Sequence, residues 1–580
     1  MFKLARFLKN YKLQSILGPL FKMIEATFEL FVPIVMAKII DIGIHNKYTS
    51  YIYKMGAVLI LLGLLGLVSS LTAQYFAAKA SMGFGTALRT RLFSHINAFS
   101  HKELDEVGIG ALITRLTSDI NQTQTGVNMI LRLFLRSPFI VLGAIIMAFS
   151  INVKLTLIFL LFTPAIAYVI YIIMSKTIPI YKTVQKNQDE ISTITRENLS
   201  GIRVIRAFSK EKHEQKRFSQ TSDNLLKEQL LAGRISALLN PATYVLVNIA
   251  TILIIWFGGV YTFRGALTQG EVIALVNYMS QILLALVALA NLIVIITKAQ
   301  ASAVRINDIF DIQPSLTDDN AEIDNISNFD NNIPVIEYKN ISYSYYETAE
   351  KCALKNISFK VSSGETVGII GGTGAGKSTL INLMPRFFDV TEGEIFLNGN
   401  NIKRYTFEAL RKNICVVAQK SLLFKGTIRD NIKWGKKDAS DDEIWKALEN
   451  AQADEFVKEK GLDFEITQGG KNLSGGQKQR LSIARALVAQ PKILILDDSS
   501  SALDFATDAK LRRALKQNNY ERTTFIVSQR ATAIKDSDFI IVLDNGEIAG
   551  MGKHNELLKS CETYKEICNS QLSKAELDEK

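Results

Sequence analysis

The stretch Gly371–Ser378, GGTGAGKS, decides the fold of the second half of this 580-residue chain. It follows ETVGII, an apolar run typical of a buried strand, and precedes TLINLMPRFF, an apolar run typical of a helix. The spacing fits G-x-x-x-x-G-K-[ST], in which glycines let the backbone N–H groups of a loop wrap phosphates. Because strand, loop and helix follow in order, the stretch predicts an α/β P-loop domain rather than a chance glycine-rich turn.

The loop and the first turn of its helix supply candidate contacts to a bound nucleotide. We expect Lys377 to reach the β- and γ-phosphates and Ser378 to ligate Mg²⁺, while the positive end of the helix faces the phosphates. The predicted nucleotide-binding residues of this stretch are Gly372, Thr373, Gly374, Ala375, Gly376, Lys377, Ser378 and Thr379.

A second apolar strand ends in two acids. ILILDD, Ile493–Asp498, follows the P-loop by about 120 residues, and an apolar strand that ends in acids becomes specific when a P-loop precedes it. Asp497 is the candidate ligand on the Mg²⁺ side. Asp498 is the candidate group for the water molecule that attacks the γ-phosphate.

A third motif opens a basic helix. In NLSGGQKQRLSIARAL, Asn472–Leu487, the segment LSGGQ resembles the signature motif of ATP-binding cassette (ABC) proteins, and little else looks like it. The resemblance implies ATP and Mg²⁺ as cofactors, a Tyr345 side chain that stacks on adenine, and a Gln419 that ligates Mg²⁺. It also identifies SALD, Ser501–Asp504, as the D-loop. The signature residues implied to face a γ-phosphate are Ser474, Gly475, Gly476 and Gln477.

Before Gln300 the chain carries long uncharged runs. A bilayer-spanning helix needs about 20 apolar residues, and five stretches come close to that pattern. They are Met55–Ala78, Ser137–Val153, Leu155–Ser175, Ile235–Phe263 and Val272–Thr297. A sixth stretch, Ile16 to about Ile44, contains several charged residues but is counted because an even number returns the second half to the N-terminal side. The predicted fold is an all-α six-helix transmembrane domain (1–310), a linker (311–334) and an α/β P-loop nucleotide-binding domain (335–580).

The formal charge of +11 could indicate a nucleic-acid partner, but the positions of the charges favour a membrane protein. Lysine and arginine concentrate in the long connections 79–136 and 176–234, whereas the short connections carry few. The distribution predicts a multi-pass protein of the cytoplasmic membrane, with both termini and the nucleotide-binding domain in the cytoplasm. It predicts the lipid bilayer, and no nucleic acid, as a partner.

Glu25 and Glu29 lie four residues apart in the first predicted span and therefore share one helix face. Ionisable groups at membrane depth are costly and face a cavity or a charged partner. Two interpretations stay open: a pair of cavity carboxylates that attracts cationic substrates, or carboxylates held in interhelical ion pairs or at the membrane interface.

Six spans followed by one nucleotide-binding domain resemble a half-transporter of the ABC exporter type. In such proteins FSHKELDEVGIGALITRLTSDI (99–120) and ENLSGIRVIRAFSKE (197–211) correspond to cytoplasmic loops whose short coupling helices dock onto nucleotide-binding domains. The resemblance implies a head-to-tail dimer, in which each ATP lies between the P-loop of one chain and the signature of the other.

The sequence departs from the family pattern at three positions. Asp498 stands where the family has a glutamate, Gln529 in FIVSQR stands where it has a histidine, and Gln468 stands where exporters often have a glutamate. The aspartate is shorter by one methylene, and the glutamine cannot carry a proton between groups. The predicted catalytic residues are Asp498, Gln529 and Gln419, at a site that binds nucleotide but turns it over slowly.

This pattern resembles the degenerate-site subunit of heterodimeric bacterial multidrug exporters. The sequence therefore predicts ATP-driven export of hydrophobic or amphipathic small molecules, with a second half-transporter as partner. Two alternatives stay open: a homodimeric lipid or peptide exporter with slow ATP hydrolysis, and an ATP-gated membrane module that does not pump.

Overall fold

A computed structural model describes residues 2–319, 321–326, 329–330, 332–345, 352–499, 503–517 and 522–571. Contacts divide the chain into a helical unit, Met1–Asn97 with Gly108–Ile312, and an α/β unit, Ala98–Val107 with Gln313–Lys580. The predicted boundaries differ in two respects. The short segment 98–107 packs within the α/β unit, and so does the segment predicted to be a linker.

The helices of the first half are long and joined by short turns. They are α1 (Lys12–Lys38), α2 (Thr49–Asn97), α3 (His101–Val107), α4 (Ile109–Thr114), α5 (Ile120–Met129), α6 (Arg136–Ile151), α7 (Val153–Ser200), α8 (Ile202–Ala207), α9 (Glu211–Ala237), α10 (Leu239–Phe263) and α11 (Gln269–Asp311). A 3₁₀ helix, Phe2–Tyr11, precedes α1. Helices α4 to α6 are connected by π-helical turns, and α9 continues into α10, so that 109–151 and 211–263 each run as one helix.

Five helices of the described residues are long and apolar enough to cross a membrane: Thr49–Asn97, Ile109–Ile151, Val153–Ser200, Glu211–Phe263 and Gln269–Asp311. They contain four of the five clean spans predicted from the sequence, and the fifth, Ser137–Val153, extends two residues past the helix end at Ile151. At 1.5 Å per residue the 49 residues of α2 extend about 73 Å, which is more than twice the ~30 Å hydrocarbon core of a bilayer. Helix α2 therefore runs well beyond the length that one bilayer crossing requires.

The sixth predicted span corresponds to α1, a helix of 27 residues that packs along α2, α6 and α11. It is less apolar than the other five because Lys22, Glu25 and Glu29 interrupt its hydrophobic sequence. Two prolines lie within it, Pro19 and Pro33. Its role as a span stays a prediction.

The described residues of the α/β unit form three sheets. Its strands are β1 (Ile336–Tyr343), β2 (Leu354–Val361), β3 (Thr366–Gly371), β4 (Glu392–Leu397), β5 (Asn400–Asn401), β6 (Ile414–Val417), β7 (Gly426–Thr427), β8 (Glu465–Ile466), β9 (Ile493–Asp497), β10 (Thr523–Val527), β11 (Phe539–Asp544) and β12 (Glu547–Gly552). Its further helices are α12 (Lys377–Leu383), α13 (Phe407–Asn413), α14 (Ile428–Lys433), α15 (Asp441–Asn450), α16 (Asp454–Lys460), α17 (Gly475–Val488), α18 (Phe505–Gln517), α19 (Ala531–Ile534), α20 (His554–Ser560) and α21 (Glu562–Gln571).

The central sheet has the order β12-β11-β3-β10-β9-β6. All neighbouring pairs are parallel except β11 with β12. The strands β3, β9 and β10 are almost wholly buried, as expected for parallel strands covered on both faces. Because parallel strands end at the same edge, the residues that follow β3, β10, β9 and β6 meet there.

A second hydrophobic core holds the helical layer formed by α14 to α17, and it includes Ile428, Ile444, Val457 and Leu481. Helix α17 packs against α14 and α15 through this core. Leu494 and Leu496 of β9 belong to the same core, so the layer that carries the LSGGQ helix packs on one face of the central sheet.

The segment predicted as a linker packs within the α/β unit from Gln313 onward over its described residues. Leu316 is buried, and Ile323 forms a β-bridge with Tyr405. The carboxylate of Asp318 accepts a hydrogen bond of 3.0 Å from the backbone N–H of Phe407, the first residue of α13. An aspartate can cap a helix and so hold a chain of polar composition in place.

Candidate functional site

The P-loop begins where β3 ends and leads into α12. Gly374 and Gly376 adopt φ angles of +82° and +97°, which side-chain-bearing residues rarely adopt. A Cβ on Gly376 would lie 2.8 Å from the carbonyl oxygen of Ala353. Glycine is therefore required here by both conformation and space, which explains the second glycine of the motif.

Lys377 is held across the loop. Its Nζ donates hydrogen bonds to the carbonyl oxygens of Gly371 (2.9 Å) and Gly372 (2.7 Å). Burial lowers the pKa of Lys377, while the carboxylates of Asp498 and Asp497 oppose that shift. A largely buried ammonium group beside backbone N–H donors suits a phosphate chain.

The candidate metal ligands lie at the same edge. The Ser378 hydroxyl donates a 3.2 Å hydrogen bond to the Asp497 carboxylate. Burial raises the pKa of Asp497, the Ser378 hydrogen bond opposes this, and the charge of Asp498 adds to it. Gln419, which follows β6, donates a 3.1 Å hydrogen bond from Nε2 to the Asp498 carboxylate. Hydroxyl, carboxylate and amide oxygens are the ligand types that Mg²⁺ prefers, so this donor set fits the ion.

Asp498 has an unusual backbone conformation. Its φ is +44°, and its N–H donates a 2.9 Å hydrogen bond to the carbonyl oxygen of Val527 in β10. Aspartate and asparagine tolerate this left-handed region better than most residues. Gln529 follows the same strand β10, which lies between β3 and β9, and its side chain is exposed. The structure thus brings all the predicted catalytic residues to one edge.

The predicted adenine-stacking residue lies in an aromatic group. The ring of Tyr345 packs edge-on against Tyr343 and Phe388, with ring centroids 5.0 and 5.5 Å apart. Its hydroxyl lies 3.0 Å from that of Thr379, the third residue of α12. The ring, which is half-exposed, is therefore fixed next to the P-loop helix, where a purine base could stack.

The signature residues form the start of α17. Ser474 caps the helix: its hydroxyl accepts a 3.2 Å hydrogen bond from the Gln477 N–H, and the Gln477 side chain accepts a 3.0 Å hydrogen bond from the Ser474 N–H. Ser474 and Gly475 are exposed. Within the described ranges no hydrogen bond or ion pair links the signature residues to the P-loop of the same chain.

The predicted D-loop is described only in part, and Gln468 lies just before the signature. Ser501 and Ala502 of the predicted D-loop lie outside the described residues, whereas Asp504 caps α18 through a 2.7 Å hydrogen bond from the Thr507 N–H. Gln468, the third departure, begins a short 3₁₀ turn before the signature.

A contact that was not predicted from the sequence joins α3 to the predicted linker. Glu103 is buried, and its carboxylate accepts hydrogen bonds from the N–H groups of Ser100 (2.6 Å) and Ser315 (3.2 Å). Burial opposes ionisation, but these serine hydrogen bonds outweigh it and lower the pKa of Glu103. The spacing from Ser100 to Glu103 is that of a capping box, the one signal that could have found it.

Helix α3 also touches the aromatic group near the nucleotide site. The ring of His101 lies 4.9 Å from that of Phe387 and 5.8 Å from that of Phe388. Since Phe388 also packs against Tyr345, aromatic contacts run from α3 to the candidate adenine position. The first of the two predicted coupling helices thus packs on the α/β unit, as expected.

Comparisons with known proteins agree with this arrangement. The family model of the ABC transporter transmembrane region matches residues 15–286, and the ABC transporter family model matches residues 354–501. The uncharacterized ABC transporter ATP-binding protein YfiB of Bacillus subtilis is 36% identical over 576 residues, covering 99% of each chain. An ATP-dependent lipid A-core flippase of Desulfotalea psychrophila is 34% identical over 485 residues, covering 83% of this chain and 84% of the flippase.

Among solved structures, a bacterial Atm1-family ABC exporter with ATP bound matches with a TM-score of 0.80 and 23% identity, over 98% of this chain and 100% of the exporter chain. That likeness shows the fold.

The chain belongs to the ABC transporter family. More narrowly, it is a half-transporter of the exporter type, with one multi-pass membrane region followed by one ATP-binding domain. The predicted family and fold class are confirmed. Its ATPase region supports ATP hydrolysis coupled to transport.

Proposed function

We propose that this chain is one half of a heterodimeric exporter in the cytoplasmic membrane, and that it uses ATP to move amphipathic small molecules out of the cell. The observation that carries the proposal is a contrast at one sheet edge. The P-loop, Ser378 and Asp497 supply a complete set of groups for Mg²⁺ and ATP, whereas Asp498 and Gln529 replace the family's catalytic pair.

The geometry of Asp498 supports slow turnover. The side chain is one methylene shorter than glutamate, so its carboxylate reaches about 1.5 Å less far. Misplacement of a catalytic group by about 1 Å can reduce a rate about 100-fold. Its carboxylate is also bonded to Gln419, and its backbone N–H to Val527, so the acid is held rather than free to reach outward.

Gln529 removes the second catalytic function. A glutamine amide can hydrogen-bond a γ-phosphate, but it cannot carry positive charge or transfer a proton as histidine does. Two positions at one catalytic edge are thus changed, whereas every nucleotide-binding residue is kept. This combination favours a site that binds ATP but hydrolyses it more slowly than the partner's site does.

The signature helix supports the other half of the proposal. Ser474 and Gly475 present an exposed helix N-terminus, a natural site for an anion such as a γ-phosphate. Since they do not contact their own P-loop, we assign them to the ATP bound by the partner. In the partner's site this chain supplies an intact signature, and the partner supplies its own catalytic residues.

The cycle follows from these assignments. ATP bound between the two chains closes the nucleotide-binding domains, and an in-line attack of water on the γ-phosphate in the partner's site reopens them. Ser378 and Asp497 would hold a Mg²⁺ ion, which would neutralise charge on the phosphates of the nucleotide. Helix α3 is covalently continuous with the membrane helices through Asn97 and Gly108, so its packing on the α/β unit gives closure a route to the spans.

The homodimer is a second candidate because two observations favour it. The signature is intact, and Asp498 is still a carboxylate beside the P-loop. In that arrangement both ATP sites would be identical and slow. The substrate class of the flippase relative, a lipid, would also suit such a pump.

Reconstitution tests the proposal. We would reconstitute the chain alone, and with a half-transporter that carries glutamate and histidine at the positions of Asp498 and Gln529, into inside-out vesicles, and measure ATP hydrolysis and uptake of an amphipathic dye. Heterodimer function predicts that rapid hydrolysis and uptake against the gradient need both chains. Full activity of the chain alone would establish the homodimer, and ATP-dependent dye flow that stops at equal concentrations would establish a gated channel.

A further inference from the structure

The helical unit contains a cavity of about 560 Å³ between α1, α2 and the start of α6. This volume lies within the ~300–1,000 Å³ common for small-molecule sites. Its polar lining consists of Glu25, Glu29, Ser70 and Arg136, and the rest is phenylalanine, valine, leucine and glycine. We call it the paired-charge cavity.

Both carboxylates of this cavity are ion-paired. Lys22 Nζ lies 2.5 Å from the Glu25 carboxylate and 3.1 Å from the Ser70 hydroxyl, and Arg136 Nη2 lies 2.7 Å from the Glu29 carboxylate. Glu29 forms the expected interhelical ion pair, whereas Glu25 pairs within α1, and both carboxylates also line the cavity. Because each carboxylate faces a cation, the site is electrically balanced and is not a simple trap for cations.

The two ion pairs differ in accessibility. The side chains of Lys22 and Glu25 are 9% and 17% exposed, whereas those of Arg136 and Glu29 are 21% and 42% exposed. The Nε of Arg136 is buried and has no hydrogen-bond partner among the described residues. The first pair is thus a fixed structural contact, while the second presents one positive and one negative group to the cavity.

The cavity wall beside the Arg136–Glu29 pair is apolar and leaves space for a ligand. A Cβ on Gly63 or Gly66 of α2 would meet no atom within 4 Å, so these glycines widen the cavity next to Leu62 and Leu67. A ligand with a single charge would separate Arg136 from Glu29 and leave one of them uncompensated in a poorly hydrated place, which is costly. A ligand with both charges compensates both groups.

We propose that the paired-charge cavity binds zwitterionic amphiphiles, with the cationic group on Glu29, the anionic group on Arg136 and the apolar part along α1 and α2. This inference rests on the proposed export function and names the substrate class. The chemistry is shared by zwitterionic phospholipids and by soluble zwitterionic amphiphiles.

Binding of three dodecyl amphiphiles to the full transporter in nanodiscs tests the assignment. The probes share one chain and differ in headgroup: phosphocholine, trimethylammonium and sulfate. We expect the phosphocholine probe to bind about tenfold more tightly than either singly charged probe, since a hydrogen bond to a charged group contributes about that factor.

Charge variants make the test specific. Arg136→Gln should shift the preference to the cation, and Glu29→Gln should shift it to the anion. The reversed pair Glu29→Arg with Arg136→Glu keeps both charges and should keep the zwitterion preference. Lys38→Gln, which changes an exposed residue of the same helix α1, is the matched control and should change nothing.

Three results would overturn the assignment: no binding of any probe, equal binding of all three, or variants that weaken all three probes equally, as a purely structural ion pair would. Competition by added phosphatidylcholine in the nanodisc identifies a phospholipid as the source of the headgroup, and its absence identifies a soluble amphiphile. These measurements need no ATP, so failed ATP-driven export with an intact headgroup preference would remove the export proposal and leave the cavity assignment standing.

Discussion

The sheet edge and the signature helix of the α/β unit are both predicted to face phosphates, yet they differ in how closely they follow the family pattern. The edge gathers residues from four neighbouring strand ends, keeps its nucleotide-binding groups and changes its catalytic pair to Asp498 and Gln529. The start of α17 rests on the core formed by α14 to α17 and one face of the sheet, and it keeps the full LSGGQ sequence. The proposed asymmetry between the ATP site of this chain and the site that it completes in a partner depends on this difference.

The largest expected effect, and the strongest test of this comparison, comes from a substitution in the signature. Ser474→Ala should reduce ATP hydrolysis of the complex about 100-fold, the scale for losing one group aimed at a transition-state charge. The measurement is steady-state ATPase activity of purified complex. Ser440→Ala is a matched control, because Ser440 also caps a helix of the same layer through a capping box with Glu443.

Both serine variants lose a helix cap worth about 0.5–2 kcal/mol, so their unfolding midpoints should fall by similar amounts. Only the Ser474 variant should lose activity. Equal loss of activity in both would mean that the serine matters through helix stability, and the assignment of α17 to the partner's ATP would fail.

The second largest effect is a gain of function at the edge. The double change Asp498→Glu with Gln529→His should raise ATP hydrolysis about tenfold in a variant complex whose partner site is disabled, since general acid–base catalysis contributes at least that factor. Glutamate is less suited than aspartate to the φ of +44° at this position, a backbone cost of about 1–2 kcal/mol. Activity that does not rise would place the block elsewhere, in the partner's signature.

The sequence predicted the edge well because its residues are tied to local patterns. A strand, a glycine-rich loop and a helix in order leave few structures for Gly371–Leu383, and the parallel pairing of β3, β9 and β10 then brings Asp497 and Gln529 together. The linker and Glu103 were harder to predict, because their hydrogen bonds join segments that lie 89 and 212 residues apart in the chain. The ion pair of Glu29 with Arg136 was hard to predict for the same reason. The sequence pattern indicates that a charged residue lies in an apolar helix, but it does not indicate which residue pairs with it.

A smaller effect concerns how either region communicates with the spans. Glu103→Gln keeps the shape of the side chain but loses charge-assisted hydrogen bonds from Ser100 and Ser315, at a cost of about 1–3 kcal/mol. We expect dye transported per ATP to fall several-fold while basal hydrolysis is kept. Glu106→Gln, an exposed neighbour in α3, is the matched control and should leave the ratio unchanged.

The pH dependence of that contact has a defined sign. Because the folded pKa of Glu103 is below its ordinary value of 4.5, the stabilisation is fully present above that pH and is lost only as pH falls through the lowered value. The wild-type coupling ratio should therefore be constant across neutral pH. A ratio that changes between pH 6 and 8 would assign the coupling to a different group.

The smallest expected effect is the most discriminating. Asp498→Asn conserves size, still offers an oxygen to the Nε2 of Gln419, and suits the left-handed backbone at least as well as aspartate. Only the negative charge is lost. In the proposed heterodimer, hydrolysis runs in the partner's site, so activity of the complex should change less than about twofold. In a homodimer the same substitution removes the base from both sites and should reduce the rate at least 100-fold, the scale of general-base catalysis. A large loss of ATP hydrolysis in Asp498→Asn would show that Asp498 acts in catalysis. It would also show that the sheet edge and the signature helix of this chain contribute to two identical ATP sites in a homodimer.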